Sequence, residues 1–152
     1  MAKKVFDYSV ESKAEPQRFI DAATDFTQAR LRLWPNLSPN RYHVYEVGDH
    51  TADIGEGTGP GYGRFKYEWS DSTVRAVATE ATATKPGAVW EMKVSPREGG
   101  GTHVDVHQEL EFTGPIGLMF SLTVGLSGGA KFFEKGFMKT VALLEHAHDR
   151  EA

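Results

Sequence analysis

The sequence predicts an α+β fold, with a curved antiparallel sheet of about seven strands wrapped on a long C-terminal helix. Two observations lead to this prediction. Apolar and polar residues alternate with a period of two over much of the stretch from 41 to 112, as in strands with one buried face. A helical repeat of apolar residues then runs from 115 to 149. Two short helices are expected after the first strand.

The N-terminal region is predicted to contain that first strand and both short helices. Residues 4–12 mix β-branched and aromatic residues with polar ones, which is typical of a strand. Pro16 suits the first turn of a helix, where its missing N–H costs nothing. The pattern Asp25-x-x-Gln28 resembles a capping box and predicts a second helix, which ends before Pro35. The apolar face of the first helix consists of Phe19, Ile20 and Ala23.

Six further strands are predicted in the middle of the chain. The predicted ranges are 41–47, 51–56, 62–70, 73–82, 88–95 and 102–112. Short connections rich in Gly, Pro, Ser and Asp join them, so neighbouring strands should be antiparallel. The alternation is clearest in 62–70, where Phe65, Tyr67 and Trp69 share one face. An apolar face of this kind must be covered by another layer.

The C-terminal segment is predicted to supply that cover. Its apolar residues recur at spacings of three and four and fall within an arc of about 100° on a helix. A continuous helix of this length would run roughly 50 Å, so a kink is expected near Gly125–Gly129. The stripe consists of Met119, Leu122, Leu126, Ala130, Phe133, Phe137, Val141 and Leu144.

Composition excludes several classes of site and partner. The chain has 152 residues, which suits a single domain spanning 1–152, and no cysteine, which excludes disulfides, thiolate metal sites and a cysteine nucleophile. A net charge of −4 disfavours nucleic acid as a partner. The longest mostly apolar stretch, 115–130, is too short to cross a bilayer. We therefore expect a cytoplasmic protein without stable membrane insertion, and the sequence favours no particular oligomeric state.

The order of the predicted elements resembles the helix-grip fold of the START-related (SRPBCC) superfamily. This superfamily includes polyketide cyclases/dehydrases, pollen-allergen-like proteins and lipid-transfer domains. Four local phrases are similar to a polyketide-cyclase-like subgroup. They are Trp34-Pro35-Asn36-Leu37, Ala52-Asp53-Ile54-Gly55-Glu56-Gly57, Tyr67-Glu68-Trp69-Ser70 and Leu143-Leu144-Glu145. The resemblance implies a cavity between sheet and helix that takes an apolar ligand. We predict no cofactor.

Inward aromatic side chains are the candidate ligand-binding residues, because pockets for apolar ligands are lined mostly by such groups. The same side chains would serve equally to fill a solid core. Glycines on one side of the C-terminal helix, Gly125, Gly129 and Gly136, likewise indicate either space for a ligand or close packing with a kink. The candidate ligand-binding residues are Phe65, Tyr67, Trp69, Trp90, Met92, Phe133 and Phe137.

Candidate acid–base residues are Tyr67, Arg75 and Glu56. An acid–base enzyme needs a buried titratable group, and Tyr67 paired with Arg75 or Glu56 would provide one. Arg75 and Glu80 lie on opposite faces of the strand 73–82, so only one of them can point inward. Arg75 shares its face with Val77 and Thr79, which makes it the better inward candidate, although an arginine on the solvated face is the commoner case. Glu56 ends the third strand of the chain, and its orientation is open.

Two other patterns are interpreted as structural. His103-x-Asp105-x-His107 places three possible metal ligands on one strand face, but neighbours lie about 7 Å apart, so we predict no metal site. The glycine-rich segment 55–63 lacks the Lys-Ser/Thr ending of a phosphate-binding loop and is expected to form a flexible hairpin loop.

Three functions are therefore compatible with the sequence. The first is a carrier or sensor that binds a hydrophobic small molecule such as a lipid, polyketide or isoprenoid. The second is a polyketide cyclase or dehydratase that uses an acid–base residue in the same cavity. The third is a protein-interaction role, which would require a solid core and an exposed apolar patch.

Overall fold

Residues 2–151, described here by a computed structural model, form a seven-stranded antiparallel sheet and a helical layer. The strands are β1 (Lys4–Ser12), β2 (His43–Val47), β3 (Thr51–Thr58), β4 (Gly61–Trp69), β5 (Thr73–Ala81), β6 (Val89–Pro96) and β7 (Thr102–Leu110). Their order in the sheet is β1-β7-β6-β5-β4-β3-β2, so β1 and β2 are the edge strands. The helices are α1 (Pro16–Thr24), α2 (Arg30–Leu33), α3 (Gly114–Leu126) and α4 (Ala130–Glu151), with a 3-10 turn at Pro39–Arg41. The predicted α+β fold class is confirmed.

The core lies between the inner face of the sheet and the helices α1 and α4. The inner face is the one that carries Ile54, Val74, Met92 and Val104, each fully buried. From the helices, the side chains that cover it are Phe19, Ile20 and Ala23 of α1 and Phe137, Val141 and Leu144 of α4. The predicted apolar face of the first helix and the last three residues of the predicted C-terminal stripe are therefore buried.

The predicted long helix is divided into α3 and α4, which meet at an angle of 87°. Gly128 and Gly129 separate them with φ angles of +94° and +66°, values in the left-handed region that glycine adopts without strain. The predicted kink is thus confirmed. The prediction of one continuous buried stripe is wrong for α3, because Met119, Leu122 and Leu126 are exposed.

The second predicted helix is also shorter than expected. Asp25 accepts a hydrogen bond from the Thr27 backbone N–H at 2.9 Å, which caps a turn, but the helix itself covers only Arg30–Leu33. The segment between α1 and α2 is held instead by Tyr42, whose hydroxyl donates to the Phe26 carbonyl at 2.6 Å.

The glycine-rich segment 55–63 is mostly strand and not a flexible loop. β3 continues to Thr58 and β4 starts at Gly61, so only Gly59 and Pro60 form the turn. A side chain at Gly57 would come within 2.0 Å of the Gly61 carbonyl oxygen, so glycine is required for this close approach of the two strands.

Within residues 2–151, no single helix is long and apolar enough to cross a bilayer, and α3 with α4 meets that length and composition only as a bent pair.

Candidate functional site

The predicted ligand-binding residues all belong to the inner face of the sheet or to α4. Tyr67, Met92 and Phe137 are fully buried. Phe65, Trp69 and Trp90 pack against the core but keep part of their surface exposed. Phe133 is also half-buried and packs on Phe6 of β1, with the ring centroids 5.1 Å apart. Three of the seven side chains thus fill the core, whereas four reach towards solvent.

Burial of the inner face decreases along β1, β7 and β6 towards the end where α3 begins. Met92 and Val106 are buried. Two residues further towards this end, the inner face carries Trp90 and Gln108, which pair with each other across the sheet. Gln108 pairs on its other side with Phe6. We call this region the inner-face cleft. Its residues are Phe6, Trp90, Gln108, Leu110 and Phe133, and all five are half-buried.

Gln108 is the polar group of the inner-face cleft. Its neighbours across the sheet are the aromatic residues Phe6 and Trp90. No side-chain hydrogen bond joins its amide to another residue between 2 and 151. A side-chain amide can donate and accept at the same time. It is therefore available to a hydroxyl or carbonyl group of a bound molecule.

Trp34 supports one wall of this region. Its ring lies 6.0 Å from that of Trp90, edge to face, and 6.0 Å from that of Phe137. Its indole N–H donates to the Ala22 carbonyl of α1 at 2.9 Å, which satisfies the polar end of the ring. Close packing continues at Gly136 of α4, where an added Cβ would lie 2.6 Å from Nδ2 of Asn36. Packing at Gly136 and the bend at Gly129 therefore account for two of the three helix glycines.

A buried polar cluster lies beneath the sheet beside α1. It consists of Arg30, Glu56 and Tyr67, which are 4%, 8% and 4% exposed. The Arg30 guanidinium donates from Nε to Glu56 at 3.0 Å and from Nη2 to the Tyr67 hydroxyl at 2.8 Å. The Tyr67 hydroxyl in turn donates to Glu56. These contacts pair the charge of the arginine with that of the carboxylate in the interior, where an unpaired charge would be very unfavourable.

Arg30 also connects the cluster to α1. Its Nη1 donates to the Ala23 carbonyl at 2.9 Å, in the last turn of the helix, where carbonyls lack intrahelical partners. The guanidinium carbon lies 4.7 Å from the centre of the Phe26 ring, a cation–π distance.

The cluster shifts the pKa values of Tyr67 and Arg30. Burial raises the pKa of Tyr67 well above its ordinary value, and the nearby Glu56 carboxylate raises it further. Burial alone would lower the pKa of Arg30, but its attraction to Tyr67 and Glu56 outweighs this and raises it. Tyr67 is therefore a neutral phenol at physiological pH, suited to donate a hydrogen bond and poorly suited to act as a base.

Of the three candidate acid–base residues, two come together and one does not. Tyr67 and Glu56 are in direct contact in the buried polar cluster. The inward placement considered for Arg75 is wrong. Val74 and Ala76, its neighbours on β5, face the core, so Arg75 lies on the outer face, where it contacts Glu91 at 3.2 Å.

Sequence reasoning missed Arg30, although two signals point to it. Ala52 and Ile54 face inward on β3, so Glu56, two residues further on, must also face inward and needs a cation. Arg30 follows Ala23 and Phe26 at helical spacings of seven and four, which continues the buried face of α1. The early end of that helix made this continuation hard to predict.

Two hollows lie on the outer face of the sheet. One, of about 550 Å³, is lined by polar residues of β1, β6 and β7, among them Asp7, Lys93 and His107. The other, of about 350 Å³, lies over β4 and β5 around Lys66 and Arg75. Neither is the enclosed cavity predicted between sheet and helix. The half-buried residues of the inner-face cleft lie on the other face of the sheet from both hollows.

The two histidines of β7, on the outer face of the sheet, each lie between two carboxylates. His103 contacts Glu11 at 2.6 Å and Asp105 at 3.0 Å. His107 contacts Asp7 at 2.5 Å and Glu109 at 2.9 Å. Across residues 2–151, no three His, Asp or Glu side chains converge as they would around a metal ion. The contacts with Glu11 and Asp7 join the edge strand β1 to β7.

The fold was compared with known proteins. The comparison with protein-family models gives no match, and neither does the comparison with curated protein sequences. Solved structures do match over nearly the whole chain. A START superfamily protein from Mycobacterium smegmatis is 12% identical, with a TM-score of 0.71 over 97% of this chain and 99% of that one.

Two enzymes share the same fold. The Zhui aromatase/cyclase from Streptomyces sp. R1128 is 9% identical, with a TM-score of 0.76 over 99% of this chain and 97% of its own. Norcoclaurine synthase from Thalictrum flavum, solved with dopamine and hydroxybenzaldehyde, is 12% identical, with a TM-score of 0.66 over 97% of this chain and 88% of its own. The chain therefore has the helix-grip fold of the START superfamily, as the order of its sequence elements predicts.

Proposed function

We propose that the protein is a carrier or sensor that binds a hydrophobic small molecule, such as a lipid, polyketide or isoprenoid, in the inner-face cleft. One observation carries the proposal. Half-exposed apolar side chains surround Gln108, whose amide forms no side-chain hydrogen bond within residues 2–151. Binding sites for small molecules combine an apolar lining with a few polar groups in this way.

The energetics of such a site follow from its lining. A ligand that covers Phe6, Trp90, Leu110 and Phe133 removes apolar surface from water, which contributes about 25 cal/mol per Å². Gln108 then selects ligands that carry a hydroxyl or carbonyl group, because burying its amide without a partner is unfavourable.

A cyclase or dehydratase is the alternative function, and the buried polar cluster is the observation that favours it. Tyr67 and Glu56 are the titratable groups that such an enzyme needs. Their polar atoms, however, are already paired with each other and with Arg30. Because these polar atoms already have hydrogen-bond partners within the protein, we prefer the carrier or sensor role.

The proposal is tested by identifying what the purified protein holds. Native mass spectrometry followed by organic extraction should reveal a co-purified apolar compound. As a defined probe, 1-anilinonaphthalene-8-sulfonate should bind saturably and receive energy transfer from tryptophan, because Trp90 lines the inner-face cleft.

A pair of matched variants locates the binding. Leu110→Trp adds bulk inside the inner-face cleft and should weaken probe binding at least about fivefold, since strain from overpacking costs about 1–3 kcal/mol. Val5→Trp adds the same ring at an exposed residue on β1, whose neighbour across the ladder is Glu109, and should leave binding unchanged. Absence of saturable binding, or equal binding by the two variants, would contradict the proposal. Turnover of a polyketide-like substrate that is lost in Glu56→Gln would favour the enzyme.

A further inference from the structure

The helix α3 is apolar on all sides but is not buried on all sides. None of its 13 residues is charged. On one side, Gly117 and Val124 are buried, and the Phe120 ring lies against Gly61, where an added Cβ would approach it to 3.1 Å. An added Cβ at Gly117 would lie 2.4 Å from the carbonyl oxygen of Ala83, in the segment that follows β5, so this side of α3 is already closely packed.

The opposite side of α3 is an exposed apolar surface. Four large side chains lie within an arc of about 100° on it, as their spacing on a helix requires. We call these four residues the α3 outer face. They are Leu118 (53% exposed), Met119 (48%), Leu122 (59%) and Leu126 (90%). Because the inner side is packed, a simple rotation of the helix would not bury the outer face.

We propose that the α3 outer face docks reversibly onto the surface of a lipid bilayer. A helix that is apolar all round belongs either in a protein core or in a membrane, and α3 is only partly in the core. In the docked state the α3 outer face would enter the boundary between headgroups and acyl chains, while the opposite side of the helix stays packed on the rest of the protein. Its length of 13 residues does not span the bilayer.

Charge and area favour a bilayer over a protein partner. The first charged residue after α3 is Lys131, exposed at the bend, which suits anionic headgroups. A stable protein interface uses about 20–30 residues from each side with a polar rim, whereas the α3 outer face offers four apolar side chains and no charge. These four side chains alone are far fewer than the residues that a stable dimer interface uses.

The proposal is independent of ligand binding in the inner-face cleft, because the two sites share no residue. Its test is co-sedimentation of the full chain with vesicles of 70% phosphatidylcholine and 30% phosphatidylserine. The wild-type protein should bind. The double variant Leu122→Ser/Leu126→Ser should bind at least about tenfold more weakly, since two apolar side chains no longer enter the bilayer.

A matched control uses apolar residues that are exposed elsewhere. Val44→Ser/Val47→Ser alters two exposed valines of the edge strand β2 and should leave vesicle binding unchanged. The α3 double variant should also retain binding of 1-anilinonaphthalene-8-sulfonate if the cleft is the site of that probe. Failure of the wild-type protein to bind vesicles, or equal binding by both double variants, would overturn the proposal. So would a wild-type dimer that the α3 double variant converts to monomer.

Discussion

The buried polar cluster and the outer-face histidines contain the same kinds of groups in opposite environments. In both, basic side chains contact carboxylates at hydrogen-bond distance. Arg30 and Glu56 are less than a tenth exposed, whereas the side chains of His103 and His107 are 37% and 35% exposed. Water screens the exposed contacts and leaves the interior ones unscreened. Similar geometry should therefore have very different consequences for stability.

The largest effect is expected from removing the buried cation. Arg30→Met leaves the Glu56 carboxylate without its charge partner in the interior, which should lower the free energy of unfolding by about 3–5 kcal/mol. Urea denaturation measures this loss. The control is Arg64→Gln, which removes a cation with two contacts to Asp53, at 2.8 and 2.9 Å, on the half-exposed side of the sheet. Arg64→Gln should lower the free energy of unfolding far less than Arg30→Met does. Equal losses in the two variants would contradict the argument from burial.

An intermediate effect on stability is expected when all three side chains of the buried polar cluster are replaced together. Such a variant also separates a structural role of the cluster from a functional one. The triple variant Arg30→Met/Glu56→Leu/Tyr67→Phe replaces every polar group by an apolar one of similar size. Such replacements of buried ion pairs are often neutral or stabilising, by about 1–4 kcal/mol, so the triple variant should be more stable than Arg30→Met alone. The same urea titration tests this.

Ligand binding by the triple variant then decides between the roles. If the cluster only supports the fold, the triple variant should bind the probe in the inner-face cleft as the wild-type protein does. A folded triple variant that loses binding or turnover would show that the cluster contacts the bound molecule, which would favour the enzyme.

The sequence predicts more of the fold than of the candidate functional site. Alternation of side chains is a local property, so Phe65, Tyr67 and Trp69 were placed on one face correctly. The position of Arg75 was ambiguous because Val77 on the same outer face is apolar, and only the register with β6 places both outside. The exposure of Leu126 depends on the bend at Gly128, and periodicity does not give the direction in which a chain continues after a bend.

The buried polar cluster was only half predictable for a related reason. Tyr67 and Glu56 lie on adjacent strands, and strand parity places them on one face. Their partner Arg30 comes from a four-residue helix 26 positions before Glu56, and its contact depends on how α1 and α2 pack on the sheet. Contacts between distant segments are set by tertiary packing, which local patterns do not encode.

The smallest effect is expected from the outer-face histidines, and it depends on pH. Hydrogen bonds to Glu11 and Asp105 raise the pKa of His103 above its ordinary value of 6.5, and Glu109 and Asp7 do the same for His107. A group whose pKa is higher in the folded state contributes stability that is fully present below its unfolded pKa. That contribution is lost as the pH rises through the folded pKa, so it should fade above pH 6.5.

Other charged groups surround these histidines and set the size of the effect. Lys3 contacts Glu109 at 2.6 Å and Arg97 contacts Glu11 at 3.1 Å, while Glu91 of β6 pairs across the ladder with His107. The urea midpoint of the wild-type protein should therefore fall between pH 6 and pH 9 by more than that of His103→Gln/His107→Gln. Titration of the imidazole protons by NMR should give pKa values above 6.5 for both rings. Ordinary values, or parallel midpoints for the two proteins, would show that exposed contacts of good geometry add nothing to the pairing of β1 with β7.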